Sequence, residues 1–307
     1  MINAVYHRRV VLRQLEYLCA LADERHFGRA AAACHVSQPA LSVAIRKLET
    51  ELGLELVHRD RRYDDLTPQG KELVRWARQI LAGVDSLSSE ASRMSGALGG
   101  KLRIGAIPTA LPLIARITSP LVTQHPAVEL EVRSMAASEI AAQVERFAVD
   151  AGITYLDREM PRGLRGIPVF DERYVFLTGE ATPRKSTIAW SDLDGMALCM
   201  LTSEMRNRRI VESALVAAGA KTTAKVETDS ISALLSFALQ GWSSVVSEAW
   251  LELYGVPDGM RALRLVEPEL SQSIGIVTRD SALLPPTVVA LLDCAAASGA
   301  SDRLVDV

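Results

Sequence analysis

The stretch "HVSQPALSVAIRKLETELG", His35 to Gly53, decides the fold of the N-terminal part of this chain. At about 100° per residue, Leu41, Ile45, Leu48 and Leu52 fall in one narrow sector, and Gln38, Ser42 and Arg46 follow one another in the adjoining one. One side is built to pack and the next is offered outward. Ser37 is a favoured N-cap type, Pro39 suits a first turn where its missing N–H would be unpaired anyway, and Gly53 is a natural stop. The expected helix therefore runs from about Gln38 to Leu52.

Upstream, "LRQLEYLCALADE" sets Leu12, Leu15, Leu18, Cys19 and Ala22 along a first helix, and "FGRAAAACHV" reads as a short alanine-rich second helix that neighbours can approach closely. His35-Val36-Ser37 is then the tight turn of a helix-turn-helix from Phe27 to Arg46. In such a unit the second helix enters the major groove, where glutamine can pair with adenine, arginine with guanine, and serine adapts to either. Two helices joined by three residues also occur in ordinary bundles, so the next segment matters. "LELVHRDRRYDDLTPQGK" has short apolar runs, Leu54 to Val57 and Tyr63 to Leu66, around a tip carrying Arg59, Arg61 and Arg62. This reads as a two-stranded wing whose arginines meet phosphates and supply the sequence-independent part of affinity.

The block from Leu12 to about Gln69 resembles the N-terminal domain of the LysR-type transcriptional regulators. Ala31 and Ala32, Ser37-Gln38-Pro39-Ala40, Leu48-Glu49, Leu52-Gly53, Arg59 and Leu66-Thr67-Pro68 carry the resemblance. The chain departs from the family where Val57 replaces an aromatic residue and where Gln69 replaces a small one; neither touches the reading helix. The resemblance implies a winged helix-turn-helix over residues 11–69 that binds an interrupted inverted repeat in double-stranded DNA, with an effector-binding domain behind it. The expected DNA contacts are Ser37, Gln38, Pro39, Ser42, Arg46, Arg59, Arg61 and Arg62.

At 307 residues and 49% hydrophobic content the chain is long enough for two or more domains, and its net charge is only -3. Basic and acidic side chains nearly balance in the first 67 residues, so the DNA reading rests on placement rather than bulk charge. No apolar run reaches the ~18 residues of a membrane span. The N-terminus "MINAVYHRRVVLRQ" lacks the apolar core of a signal peptide, so the expectation is a cytoplasmic protein without membrane contact.

From Pro68 the chain reads helical to about Met94, and Leu73, Ala77, Ile80, Val84, Leu87, Ala91 and Met94 alternate spacings of four and three. That is a coiled-coil seam, expected to pair two copies through a linker helix at 70–96, as the family resemblance also implies, with dimers pairing further into tetramers. "SGALGGK" then ends the helix, and Gly96, Gly99 and Gly100 read as a flexible joint.

Beyond it the pattern changes to strands alternating with helices, as in a parallel α/β sheet. The expected effector-binding domain, 97–300, is bilobal and resembles periplasmic binding proteins. One lobe spans about 97–167 plus 273–300 and the other 168–272. Ligands of such sheets sit beyond strand ends, where helix N-termini favour anions. "AIPTALP" follows the first strand, and the family places effector contacts there and after a second-lobe strand. Thr109, Ala110, Thr202 and Ser203 are therefore the expected contacts for a small carboxylate or other anionic effector, although serine and threonine also cap helices everywhere. Ser243 and Glu248 in "GWSSVVSEAW" depart from the family pattern and leave the chemistry of that side open.

No cofactor or metal is expected. His7, His26, His35, His58 and His125 are scattered, and there is no GxSxG, HExxH or CxxC, so an enzyme is disfavoured. A solute-binding protein would be exported, and a thiol sensor is the rival the resemblance implies, since some LysR-type relatives use a cysteine pair in the second lobe. Of Cys19, Cys34, Cys199 and Cys294, only Cys199 lies in the second lobe, within the apolar "MALCML", where a lone cysteine reads as a small hydrophobe. RNA polymerase stays open as a further partner of a regulator.

Overall fold

The computed structural model describes residues 10–58, 65–156, 160–179 and 185–297, which group into two compact units, one built mainly on residues up to Ala91 and one mainly on residues from Ser92 onward. The first opens with α1 (Leu12–Glu24), α2 (Phe27–Ala33) and α3 (Gln38–Leu52). At the start of α3 the Ser37 Oγ accepts a hydrogen bond from the Ala40 backbone N–H at 3.4 Å, and at its end Gly53 takes the left-handed φ of 68° that glycine adopts without strain. Leu41, Ile45 and Leu48 are buried against Leu15, Leu18, Leu21, Ala30 and Ala31. The expected apolar face of α1 needs one correction: Leu12 is exposed, while Tyr17 and Leu21 are buried. A spacing of three drifts around the helix, and nine residues place Leu12 on the side opposite Leu21.

In the described part of the wing, Val57 and Leu66, one from each of the two expected runs, pair as an antiparallel bridge. Its tip, with Arg59, Arg61 and Arg62, lies outside the described residues. The Glu49 carboxylate accepts from the backbone N–H groups of Leu56 at 2.9 Å and Val57 at 3.2 Å, tying α3 to the wing. α4 (Pro68–Met94) follows, where the Thr67 hydroxyl donates to the Glu55 carbonyl at 2.7 Å and accepts from the Gly70 N–H at 3.0 Å.

The seven-residue seam on α4 divides in two. Ala77 is 1% exposed and belongs to the core of its own unit, with Leu73 packed against that core, so the first turns of the stripe have an intramolecular partner. Ile80, Leu87, Ala91 and Met94 are exposed, Leu87 to 70% and Met94 to 76%, with Val84 half-buried. Trp76, exposed and four residues before Ile80, extends this outward stripe.

The second unit contains β1 (Gly99–Ala106), a 3-10 turn (Pro108–Ala110), α5 (Leu111–Gln124), β2 (Ala127–Ser134), α6 (Ala137–Glu145) and β3 (Ala151–Tyr155). The long β4 (Leu164–Gly179) leads to β5 (Thr187–Ala189), β6 (Ala197–Leu201), α7 (Arg206–Ala217), β7 (Thr223–Thr228), α8 (Ile231–Leu239) and β8 (Ser244–Ser247). α9 (Glu248–Tyr254), β9 (Met260–Val266), β10 (Ser271–Arg279) and α10 (Pro286–Ala297) complete it. Gly99 and Gly100 are part of β1, in register with Ala127 and Val128 of β2, and so do not form the free joint expected of them.

The sheet is mixed rather than parallel. Its order is β2-β1-β3-β10-β4-β9-β5 with β8 also on β4, and β6 and β7 form a separate parallel pair. β10 runs antiparallel to β3 and β4, and β4 antiparallel to β8 and β9, because the two strands that cross between lobes run against their neighbours. β4 pairs with β10 through Arg173 and with β8 from Tyr174. Val169 and Phe170 sit in one core with Ile104, Ile153 and Ile276, whereas Tyr174 and Phe176 sit in another with Trp190 and Leu263.

Gly70 provides a test of how closely α4 meets the wing. A Cβ there would lie 2.2 Å from the Leu56 carbonyl oxygen, a backbone atom with little room to move, whereas Gly83 in the same helix has open space around it. Gly70→Ala should cost roughly 1–3 kcal/mol by overpacking, and Gly83→Ala should gain roughly 0.5–1 kcal/mol from helix propensity, both read from urea unfolding midpoints. Equal midpoints for the two variants would contradict this packing.

Candidate DNA-reading helix and effector pocket

The outward edge of α3 presents Gln38, Pro39 and Arg46 as exposed side chains, with Ser42 half-buried. Ser37 is occupied at the helix start as the N-cap, so its hydroxyl is structural before it is anything else. Behind this edge, α2 is capped by the His26 ring, whose Nδ1 accepts from the Gly28 and Arg29 backbone N–H groups at 3.0 and 3.3 Å. The left-handed φ of 55° at His35 turns the chain from α2 into α3.

In the second unit a cavity of about 340 Å³ opens between the two lobes. One wall is the 3-10 turn with Thr109, together with the first turn of α6; the other is Thr202 and the first turn of α7. Two helix N-termini thus face one space, and Met205 at the start of α7 supplies no side-chain cap, so backbone N–H groups there can serve a ligand. The Arg206 guanidinium stacks over the Tyr155 ring, 5.1 Å from its centroid, also at the cavity. Three carboxylates, Glu139, Glu204 and Asp229, share the lining with Arg206 and Arg209.

Of the four expected effector contacts, Thr109 and Thr202 come together in this cavity and two do not. Ala110 is buried away from it and its N–H is spent on the Ile107 carbonyl at 3.0 Å, because the 3-10 turn closes on itself. Ser203 is exposed, and its carbonyl accepts from the Arg209 guanidinium. Thr109 is held from two sides: its carbonyl accepts from the Trp250 indole N–H at 2.8 Å and its hydroxyl lies 3.3 Å from the Tyr155 hydroxyl.

Sequence reasoning missed what lies beneath. Glu172, on β4, is fully buried, and its Oε2 accepts from Tyr155 and Tyr174, both at 2.7 Å, and from the Asn207 amide at 3.4 Å. Burial pushes its pKa up, more than the hydrogen bonds from Tyr155, Tyr174 and Asn207 pull it down. Burial and the neighbouring carboxyl likewise raise both tyrosines, which stay protonated as donors. The available signal was strand register: Glu172 falls on the same side of β4 as Phe170, Tyr174 and Phe176.

Among the described residues no cysteine lines the cavity. Cys199 is buried on β6 among Leu177, Leu201, Leu234 and Val246, and burial raises its thiol. Cys19 is pushed up to about 12, chiefly by burial.

Comparison with known proteins gives two family matches. The model for bacterial regulatory helix-turn-helix proteins of the lysR family covers residues 12–71, and that for the LysR substrate binding domain covers residues 95–300. A hydrogen peroxide-inducible genes activator of Dickeya chrysanthemi is 34% identical over 272 residues, covering 87% of this chain and 89% of that protein. The DNA-binding transcriptional dual regulator OxyR of Escherichia coli K12 is 34% identical over 276 residues, with the same coverage. A solved structure of full-length OxyR with a cysteine-to-aspartate substitution, from Pseudomonas aeruginosa, superimposes with a TM-score of 0.75 at 27% identity, covering 96% of this chain and 97% of that one.

Thiol accessibility is directly testable. Cys34 is half-buried while Cys19, Cys199 and Cys294 are buried, so iodoacetamide should modify Cys34 well before the other three in the folded protein and all four after unfolding, as read by peptide mass spectrometry. Labelling of Cys199 as fast as Cys34 would contradict its placement in the core.

Proposed function

Because the chain belongs to the LysR family of DNA-binding transcriptional regulators, we propose that it reads its operator through Gln38, Ser42 and Arg46 and is switched by a small anion held between its lobes. The regulatory function itself follows from the family, and the chain is not an enzyme. The observation that carries the effector reading is the meeting of the α6 and α7 N-termini, the Thr109 and Thr202 hydroxyls and the Arg206 guanidinium in one cavity. Helix N-termini and a guanidinium both favour negative charge. The carboxylates Glu139, Glu204 and Asp229 set against a polyanion and favour a ligand with one anionic end, such as a small carboxylate. An anion touching both lobes binds the closed arrangement better than the open one, and only that difference can shift the regulator between states.

Two copies are proposed to pair along the exposed stripe Trp76, Ile80, Leu87, Ala91 and Met94, placing two α3 helices on the halves of an interrupted inverted repeat, and dimers to pair again into tetramers. Direct contact with RNA polymerase is compatible with this arrangement. No described helix is long and apolar enough to cross a membrane.

A second reading, a peroxide response, is favoured by the relatives described as hydrogen peroxide-inducible genes activators. Against a thiol at the pocket stands the burial of Cys199 in the β6 core. Gel shifts of the operator decide between them. The effector found by thermal shift in a panel of central-metabolic carboxylates should change the wild-type pattern, and the change should be lost in Thr109→Val with DNA binding retained. A response to peroxide that disappears when all four cysteines are serine would replace the anion reading.

For the DNA face, Gln38→Ala and Arg46→Ala should weaken operator binding well beyond random-duplex binding, because each base-edge pair carries roughly 1–3 kcal/mol of discrimination. Ile80→Asp should leave the monomer folded, since Ile80 is exposed, but abolish the dimer mass in light scattering. Equal losses on operator and random DNA, or an unchanged mass, would remove the respective claim.

A further inference from the structure

Glu172 stands where β4 leaves β10 and takes up β8, the point at which the strand changes lobe. Its partners come from both sides of that crossing: Tyr155 from β3, Tyr174 from β4 itself and Asn207 from the first turn of α7. Tyr155 and Asn207 also line the cavity, and Tyr155 lies beside the Thr109 hydroxyl. A single carboxyl oxygen therefore gathers hydrogen bonds from both walls of the pocket.

The other oxygen behaves differently. Oε1 is buried without a hydrogen-bond partner, as is the Ser247 hydroxyl of β8. With Oε2 saturated by three donors, the place for a proton on this acid is Oε1, where it adds a donor on the side that has none. Among the described residues, the charged and ionisable groups around the site are the phenols of Tyr155 and Tyr174 and, across the Tyr155 ring, the Arg206 guanidinium of α7, and no salt bridge reaches the Glu172 carboxyl. A charge in this position would be buried and unpaired by any cation, a costly state.

We propose that Glu172 is a neutral, proton-holding latch between the lobes, a positioning residue that sets Tyr155 and Asn207 toward the pocket and reports the hydrogen bonding of Thr109 to the lobe crossing. The role rests on reading the cavity as the effector pocket, but the latch exists without a ligand and is tested without one. A ligand that takes hydrogen bonds from the Tyr155 hydroxyl or the Asn207 amide competes with Glu172 for the same donors, and one that engages the Thr109 hydroxyl disturbs its contact with Tyr155, so filling the pocket redistributes bonds at the crossing.

Infrared spectra of the full chain, free of ligand, test the protonation state. The wild type should show the C=O stretch of a buried carboxylic acid from mildly acid to mildly alkaline pH, and Glu172→Gln should lack it. Thr109→Val should shift that band, because the Thr109 hydroxyl touches the tyrosine that bonds the acid. Thermal unfolding gives a second readout. A carboxyl raised in the folded state contributes stability that is complete below the ordinary glutamate range and is lost as pH rises through its folded pKa. The wild-type midpoint should therefore fall relative to Glu172→Gln as pH is raised, and the glutamine variant, which keeps both an acceptor and a donor, should fold and bind DNA. A missing acid band in the wild type, or parallel pH profiles for the two proteins, overturns the neutral latch. A band that Thr109→Val leaves unmoved overturns the coupling to the pocket. None of these outcomes depends on whether the effector is an anion.

Discussion

Both lobes of the effector domain hang on β4, and its sixteen residues must satisfy two different neighbourhoods with one continuous backbone. Up to Arg173 its hydrogen bonds go to β10; from Tyr174 they go to β8, and from Val175 to β9 as well. Between these pairings the strand carries its side chains from one core to another, Phe170 into the first and Tyr174 into the second. The strict two-residue alternation of a strand leaves Glu172 on the inward side between them. Its burial is thus a consequence of backbone geometry, and Tyr155, Tyr174 and Asn207 are the compensation that makes it tolerable.

The N-terminal unit shows the opposite economy. There the packed core is apolar, and most polar groups act at element ends: Ser37 and His26 cap helices, while Glu49 and Thr67 fasten the wing to its neighbours. Since Leu41, Ile45 and Leu48 are the buried side chains that anchor α3, with Ala44 and Leu52 packed beside them, the sector of Gln38, Ser42 and Arg46 is left largely uncommitted to folding. A helix can change its outward residues without disturbing its inward ones only if the two sets are separated in this way, and such separation suits a surface whose partner is a DNA sequence.

How much was legible in the sequence follows from whether the signal was local. The bounds of α3 and α4 could be read because caps, Pro68 and Gly53 act within a turn of where they stand. The seam on α4 was harder, since periodicity shows that Leu73, Ala77 and Ile80 share a stripe but not that Ala77 meets its own core while Ile80 meets solvent. Strand direction was not legible at all; parallel and antiparallel pairing are decided by partners far away in the chain. "EAWLELY" and "MRALRLV" were passed over for a related reason, because α9 and β9 are seven residues each and lean on β4 for their stability. Of the residues lining the cavity, Thr109 was reached from its place after the first strand and Thr202 through the family resemblance, whereas Arg206, Asn207 and Tyr155 were not, since their convergence needs the two lobes to fold against one another.

The charge balance of the pocket depends on the buried acid. Were Glu172 ionised, a negative charge would stand behind Tyr155 in a region of low dielectric, where Coulomb interactions are several times stronger than in water, and it would oppose the field of the α7 N-terminus at the point where a ligand would enter. Held neutral, it removes that opposition and leaves the helix ends and Arg206 to set the potential. Its two tyrosine donors stay protonated chiefly because they are buried, so both phenols keep the hydrogen they donate to the acid. The site thereby gains a hydrogen-bonded connection between its walls without paying the electrostatic penalty that a charged connection would impose on an anion.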